Sequence, residues 1–110
     1  MKQRDIWMAD LNPVIGSEQQ GIRPVVIVSG NSMNDNLGIC IVCPLSSKIK
    51  NYAGCIVLTK DGISGLEQNS EIITFQIRAI SKERLIRRLG EITQVQLNIV
   101  KKGLNEILTY

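Results

Sequence analysis

The chain has 110 residues, the size of a single domain, since cores divide only beyond roughly 250–300 residues. Hydrophobic residues make up 44% and charged residues 21%, the balance of a globular chain rather than a disordered one. Histidine is absent and the net charge is +3. That excludes Ser-His-Asp and Cys-His machinery and any histidine zinc site, leaving catalysis to carboxylates, Arg, Lys, Tyr, hydroxyls or backbone.

In chain order, residues 5–11 (DIWMADL) read as a first strand. Residues 12–23 (NPVIGSEQQGIR) form a polar connection far longer than the usual hairpin loop of 2–5 residues. Long ordered loops on a rigid scaffold often carry function, and this one holds Glu18 and Arg23. Residues 24–29 (PVVIVS) are a second strand, and Gly30-Asn31-Ser32 and Asn34-Asp35-Asn36 read as turn punctuation. Further strands are expected over 38–45, 54–59, 71–80 and, shorter, 85–92. Evenly spaced short strands suggest a small barrel or a strongly twisted sheet.

A helix is expected from Thr93, where Thr93-Gln94-Val95-Gln96 makes a capping-box pattern. Leu97, Val100, Leu104, Ile107 and Leu108 fall on one face, with Lys102 and Glu106 a possible i,i+4 pair on the other. Gly103 inside this helix costs about 1 kcal/mol relative to Ala, and close packing is one reason to keep it. Repeats, linkers and low-complexity segments are absent, so one domain over 1–110 is the expectation.

No run approaches the roughly 18 apolar residues of a membrane span, and the opening MKQRDIWMADLNP lacks a signal-peptide core. A cytoplasmic chain without membrane contact is expected. Three cysteines, an odd number, fit that compartment. Cys40-Ile41-Val42-Cys43 has redox spacing but sits in an apolar, β-branched run. On a strand, side chains three apart face opposite ways, so these read as core thiols and not as a redox or zinc pair.

Charge is unevenly placed. Residues 1–70 hold six basic and six acidic side chains, whereas 71–110 hold seven against four. Within 78–88, Arg78, Lys82, Arg84, Arg87 and Arg88 stand against Glu83 alone, five minus one or +4. Such a segment suits a polyanion or an acidic protein tail, or is simply a solvated surface.

Several phrases, taken together, resemble the MazF/PemK family of toxin ribonucleases. They are Asp5-Ile6-Trp7, Asn12-Pro13, Gly16-Ser17-Glu18-Gln19-Gln20-Gly21-Ile22-Arg23-Pro24, Pro44-Leu45-Ser46-Ser47 and Gln76-Ile77-Arg78-Ala79-Ile80. They span nearly the whole chain in order. The resemblance implies a mostly β, α+β fold: a small SH3-like barrel of the CcdB/PemK-like kind with a C-terminal helix, usually a homodimer. It implies an mRNA interferase that cleaves single-stranded RNA at a preferred sequence, with no cofactor and no metal. A cognate MazE-like antitoxin with an acidic tail would neutralise it, and operator DNA would be met only through that antitoxin. The same fold also houses a non-nuclease toxin that binds a topoisomerase, and an inactive regulator bound to antitoxin and operator is a further alternative; fold alone does not choose among them.

Metal-free cleavage attacks the adjacent phosphate with the RNA's own 2′-OH, giving a 2′,3′-cyclic phosphate and a 5′-OH. Arg23 suits stabilisation of the charged phosphorane, because guanidinium offers a fixed fork of donors to phosphate oxygens. Glu18 is the available loop carboxylate, to act as base, to orient Arg23, or merely to tie down the loop. Ser46 stands where the family places a hydroxyl near the scissile phosphate. One branch of the family has a histidine where this chain has Ser17, and an Arg-x-Asp pair where it has Ile73-Thr74-Phe75; this chain resembles the Ser-Glu-Gln branch instead. Expected RNA contacts are Ser17, Gln19 and Ser47 beside these residues, Lys48 and Lys50 on phosphates, Tyr52 and Phe75 for stacking, Gln76 for a base edge, and Arg78. Trp7 reads as core.

Overall fold

A computed structural model of the chain describes residues 1–13, 15–18 and 21–110. Seven strands form one antiparallel system: β1 (Asp5–Asp10), β2 (Ile22–Ile27), β3 (Ile39–Ser46), β4 (Ile56–Leu58), β5 (Ser70–Ile72), β6 (Arg78–Ser81) and β7 (Leu85–Glu91). Their order is β4-β5-β3-β2-β1-β7, with β6 also paired to β3. The helices are α1 (Asn31–Asn36) and the C-terminal α2 (Gln94–Thr109). This is the expected mostly-β fold with a closing helix.

Alternation along the strands builds a core on each face of the sheet. Val26, Cys43, Leu45, Ile6 and Ile72 join Leu97 and Val100 of α2 in one cluster. Val25, Ile27, Cys40 and Val42 join Ala9, Leu11 and Ile80 in the other, with Trp7 packed half-buried at its edge. Cys40 and Cys43 thus belong to opposite faces, as their spacing on a strand requires.

Three expectations need correction. The run 71–80 is not one strand: β5 and β6 occupy successive stretches of the β3 edge, separated by a 3-10 turn, Thr74–Gln76. Pro44 lies between those stretches and has no N–H to continue the ladder, while its carbonyl accepts from Ile73 N at 2.9 Å. The turn residues 31–36 wind instead into α1, fixed by buried Asn34, whose amide donates to Ser29 O at 2.9 Å.

The third correction lies on α2. Its capping box forms as expected, Gln96 N donating to Thr93 Oγ1 at 3.1 Å and Thr93 N to Gln96 Oε1 at 2.8 Å. Leu97 and Val100 are buried, but Leu108, in the last turn, is 83% exposed. No ion pair joins Lys102 to Glu106 among the described residues.

Candidate functional site

β2 begins at Ile22, two residues earlier than the sequence suggests, so Arg23 sits on a strand opposite Ala9 of β1 rather than in the loop. Strand pairing fixes its backbone, and Nη1 donates to Leu45 O at 3.3 Å across to β3. The side chain is half-buried, and that burial lowers its pKa, since taking a cation out of water disfavours the charge. An arginine keeps its proton regardless. What changes is strength: a partly desolvated guanidinium acts on a nearby anion through less water. Arg23 lines a cleft of about 320 Å³ together with Met8, Ser47, Glu67, Gln68 and Arg87.

Ser46 ends β3 opposite Glu71 of β5 and is buried. Its Oγ accepts from Lys48 N at 3.2 Å, which leaves the hydroxyl proton to donate elsewhere. The next residue, Ser47, is exposed and is the one that lines the Arg23 cleft.

A second, smaller cleft of about 100 Å³ is lined by Leu11, Glu18, Pro44, Phe75, Gln76 and Arg78. Glu18 Oε1 accepts from Ile15 N at 3.0 Å, closing a turn within the loop. Gln76 Nε2 donates to Ser17 O at 3.2 Å and Arg78 Nη1 to Leu11 O at 3.5 Å, so both reach across to the loop. Tyr52 meets Phe75 edge to face, ring centroids 4.9 Å apart. The two clefts border successive residues of β3, Pro44 facing the smaller one and Leu45 and Ser47 the larger. Gln19 lies outside the described residues.

Lys48 and Lys50 are exposed on the segment after β3. That segment is shaped by Glu71, fully buried, whose carboxylate accepts from Lys50 N at 2.9 Å and Tyr52 N at 2.8 Å. Most of the basic 78–88 segment also serves the fold. Lys82 Nζ donates to Asn34 O, Arg84 Nη1 to Asn12 O and to Asp10 O, and Arg88 pairs with Asp5 at 3.1 Å. Among the described residues, no three His, Cys, Asp or Glu side chains gather as metal ligands, and no helix is long and apolar enough to cross a membrane.

The model of the PemK-like, MazF-like toxins of type II toxin-antitoxin systems matches residues 2–108. The chain belongs to this family. It is 33% identical to the endoribonuclease MazF9 of Mycobacterium tuberculosis over 88% of this chain and 86% of that one. It is 31% identical to the endoribonuclease EndoA of Bacillus subtilis over 94% and 90%. Its homologues are therefore endoribonucleases. The fold matches MazF from Deinococcus radiodurans with a TM-score of 0.87 at 22% identity, covering 100% of this chain and 97% of that one. A mycobacterial endoribonuclease solved in complex with its cognate antitoxin aligns at a TM-score of 0.80, 19% identity, over 98% and 94%.

Within this MazF-like chain, the Gly16–Pro24 phrase contributes Glu18 to the lining of the smaller cleft and Ile22, Arg23 and Pro24 to that of the larger. Sequence reasoning missed Glu71, Glu67 and Gln68, and had Arg87 only as one of five cations in the basic 78–88 segment. A lone glutamate in Ser70-Glu71-Ile72-Ile73 was a signal for the first, since an acidic residue within an apolar strand must find donors. Nothing in the sequence marked the Glu67–Gln68 approach, which depends on how the 61–69 loop docks.

Proposed function

We propose that this MazF-family chain is a metal-independent, sequence-preferring endoribonuclease toxin acting on single-stranded RNA. The 2′-OH attacks the adjacent phosphate, the P–O5′ bond breaks, and the products carry a 2′,3′-cyclic phosphate and a 5′-OH. The observation that supports this best is Arg23, a half-buried guanidinium fixed on β2 that reaches the backbone of Leu45, the residue before Ser46. Its charge opposes the phosphorane, which carries one more negative charge than the bound phosphodiester, so its stabilisation grows on the way to the transition state.

Ser46 supplies a hydroxyl donor to a phosphate oxygen, with Ser47 beside it as a second contact. Glu18 keeps one carboxylate oxygen on Ile15 N and has a second to take the 2′ proton. Gln76, Phe75 and Arg78 in the smaller cleft, together with Tyr52, Ser17, Gln19, Lys48 and Lys50, contact bases and phosphates along the strand. A homodimer completes the RNA groove. A MazE-like antitoxin with an acidic tail blocks it and is the route to operator DNA.

The test is incubation of the full chain with a long single-stranded RNA in EDTA, beside Arg23→Ala. Discrete fragments with 2′,3′-cyclic phosphate ends, lost in the variant, are expected. Intact RNA with folded, antitoxin-free protein would sink the proposal. Glu18→Gln separates the roles of the loop carboxylate: a proton acceptor loses kcat and the acidic limb of the pH profile, whereas a loop tie moves mainly KM.

A further inference from the structure

β3 and β4 flank β5 and are both antiparallel to it, so they run parallel to each other. The 47–55 connection must therefore return across the sheet to enter β4. None of its residues belongs to a strand, so no ladder holds it. Two side chains do so instead. Ser46 Oγ accepts from Lys48 N at 3.2 Å, and the Glu71 carboxylate accepts from Lys50 N at 2.9 Å and Tyr52 N at 2.8 Å. Asn51, between the last two amides, has a φ of 55°, the left-handed conformation that turns neighbouring N–H groups toward one anion.

The register tells which face the connection crosses. Ser46, Glu71 and Val57 stand directly opposite one another across β3, β5 and β4, so their side chains share a face. Alternation puts Pro44 on that face too, and Pro44 is opposite Val25 of β2. Arg23, two residues before Val25, is on the same side. The opposite side at this level is core, where Leu45 and Ile72 join the α2 cluster. The crossing thus brings Lys48, Lys50 and Tyr52 to the face that carries Arg23 and Ser46.

Glu71 is fully buried, at a strand position that an apolar side chain would fill without desolvating a charge. What the carboxylate adds is two acceptors for a segment that has no strand partner. One of the amides it holds belongs to Tyr52, whose ring meets Phe75 with centroids 4.9 Å apart.

We infer that Glu71 is a positioning residue for RNA binding, fixing Lys50 and Tyr52 from beneath on the Arg23 face. The inference rests on the endoribonuclease reading and adds a carboxylate that touches neither RNA nor the reacting atoms. A segment that RNA would otherwise have to order is ordered in advance, so loss of Glu71 shows in KM while kcat holds.

The experiment measures cleavage of a long single-stranded RNA by wild type, Glu71→Gln, Tyr52→Ala and the double variant. Glutamine keeps the size but offers one acceptor oxygen in place of two and sets its own N–H against an amide. Glu71→Gln is expected to raise KM about three- to tenfold with kcat little changed. In the Tyr52→Ala background the same change raises KM by a clearly smaller factor, because the ring it positions is gone. Full additivity overturns the inference. Asn51, which is exposed, carries the test if Glu71→Gln fails to fold. Asn51→Val disfavours the left-handed conformation and raises KM, whereas Asn51→Gly adopts it freely and cleaves like wild type. Hydrogen exchange at the Lys50 and Tyr52 amides, slow in wild type and fast in Glu71→Gln and Asn51→Val, reads the segment independently of activity. Fast exchange with a wild-type KM, or a fall in kcat at unchanged KM, overturns the inference and leaves the nuclease standing. No cleavage by folded wild type overturns the nuclease reading and this role with it.

Discussion

Gly54 and Gly103 meet backbone against backbone: a Cβ on Gly103 would lie 2.0 Å from the Gly54 carbonyl oxygen. That oxygen is also held by Thr74 Oγ1 at 3.2 Å, so the contact locks α2 onto two separate turns. Helix propensity alone says Gly103→Ala should stabilise by about 1 kcal/mol. The clash is with backbone, which cannot rotate away, and overpacking of this kind costs about 1–3 kcal/mol. Gly103→Ala is therefore expected to lower the melting temperature, while Asn98→Ala on the exposed side of the same helix raises it or leaves it unchanged. A Gly103→Ala protein that melts above wild type would show that the helix can shift outward freely.

Asp5 is buried and accepts three donors: Lys2 N at 2.8 Å, Trp7 Nε1 at 3.3 Å and Arg88 Nε at 3.1 Å. The acidic-Ile-Trp phrase that opens the family resemblance is thus a structural knot. Asp5→Ala strands the first two donors in partly buried positions and should cost about 2–4 kcal/mol. Arg88→Ala removes a half-exposed partner and should cost under about 1 kcal/mol. Urea unfolding of both variants checks the asymmetry. Equal losses would mean the ion pair itself, and not satisfaction of the buried donors, holds the knot.

The large features of this fold were written in local pattern. Alternation gave the strands, Thr93 and Gln96 gave the start of α2, and the spacing of Cys40 and Cys43 gave their opposite faces. What stayed hidden was set by partners distant in sequence. The break between β5 and β6 depends on which edge of β3 each can reach around Pro44, and α1 depends on Asn34 finding Ser29. The candidate site divides in the same way. Arg23, Glu18 and Gln76 were legible because the family phrases carry them, but the early start of β2 that puts Arg23 on a strand depends on its pairing with β1.

The thiols make a prediction in pH. Burial pushes the Cys43 thiol up to about 12, with the nearby Cys55 adding to the shift, and burial also raises Cys40. A folded-state pKa above the unfolded one means the contribution to stability is whole below the unfolded value, near pH 8.5. It is lost as pH rises toward the folded value, because the unfolded chain ionises first. At pH 8 a thiol reagent should label Cys55 alone in the native protein, and all three cysteines in denaturant. Stability should fall between pH 9 and 11 more steeply than in a Cys43→Ala variant. Native labelling of Cys43 at the rate of Cys55 would refute the buried assignment.

Gln76 offers a way to ask whether the loop is positioned from the turn beneath it. Its Nε2 reaches Ser17 O across 59 residues of sequence, joining the 15–18 turn to the 74–76 turn. The bond is exposed, so Gln76→Ala should cost no more than about 1 kcal/mol of stability. Its effect belongs to binding: a loop that must be ordered by RNA raises KM while kcat holds. Gln76→Glu is the sharper variant, because a carboxylate puts a second acceptor against the Ser17 carbonyl and repels the turn. Cleavage kinetics should rank wild type above Ala and Ala above Glu, with melting temperatures nearly level. A Glu variant that cleaves as well as wild type would mean the amide neither holds the loop nor donates to a base, since glutamate at neutral pH has no proton for either.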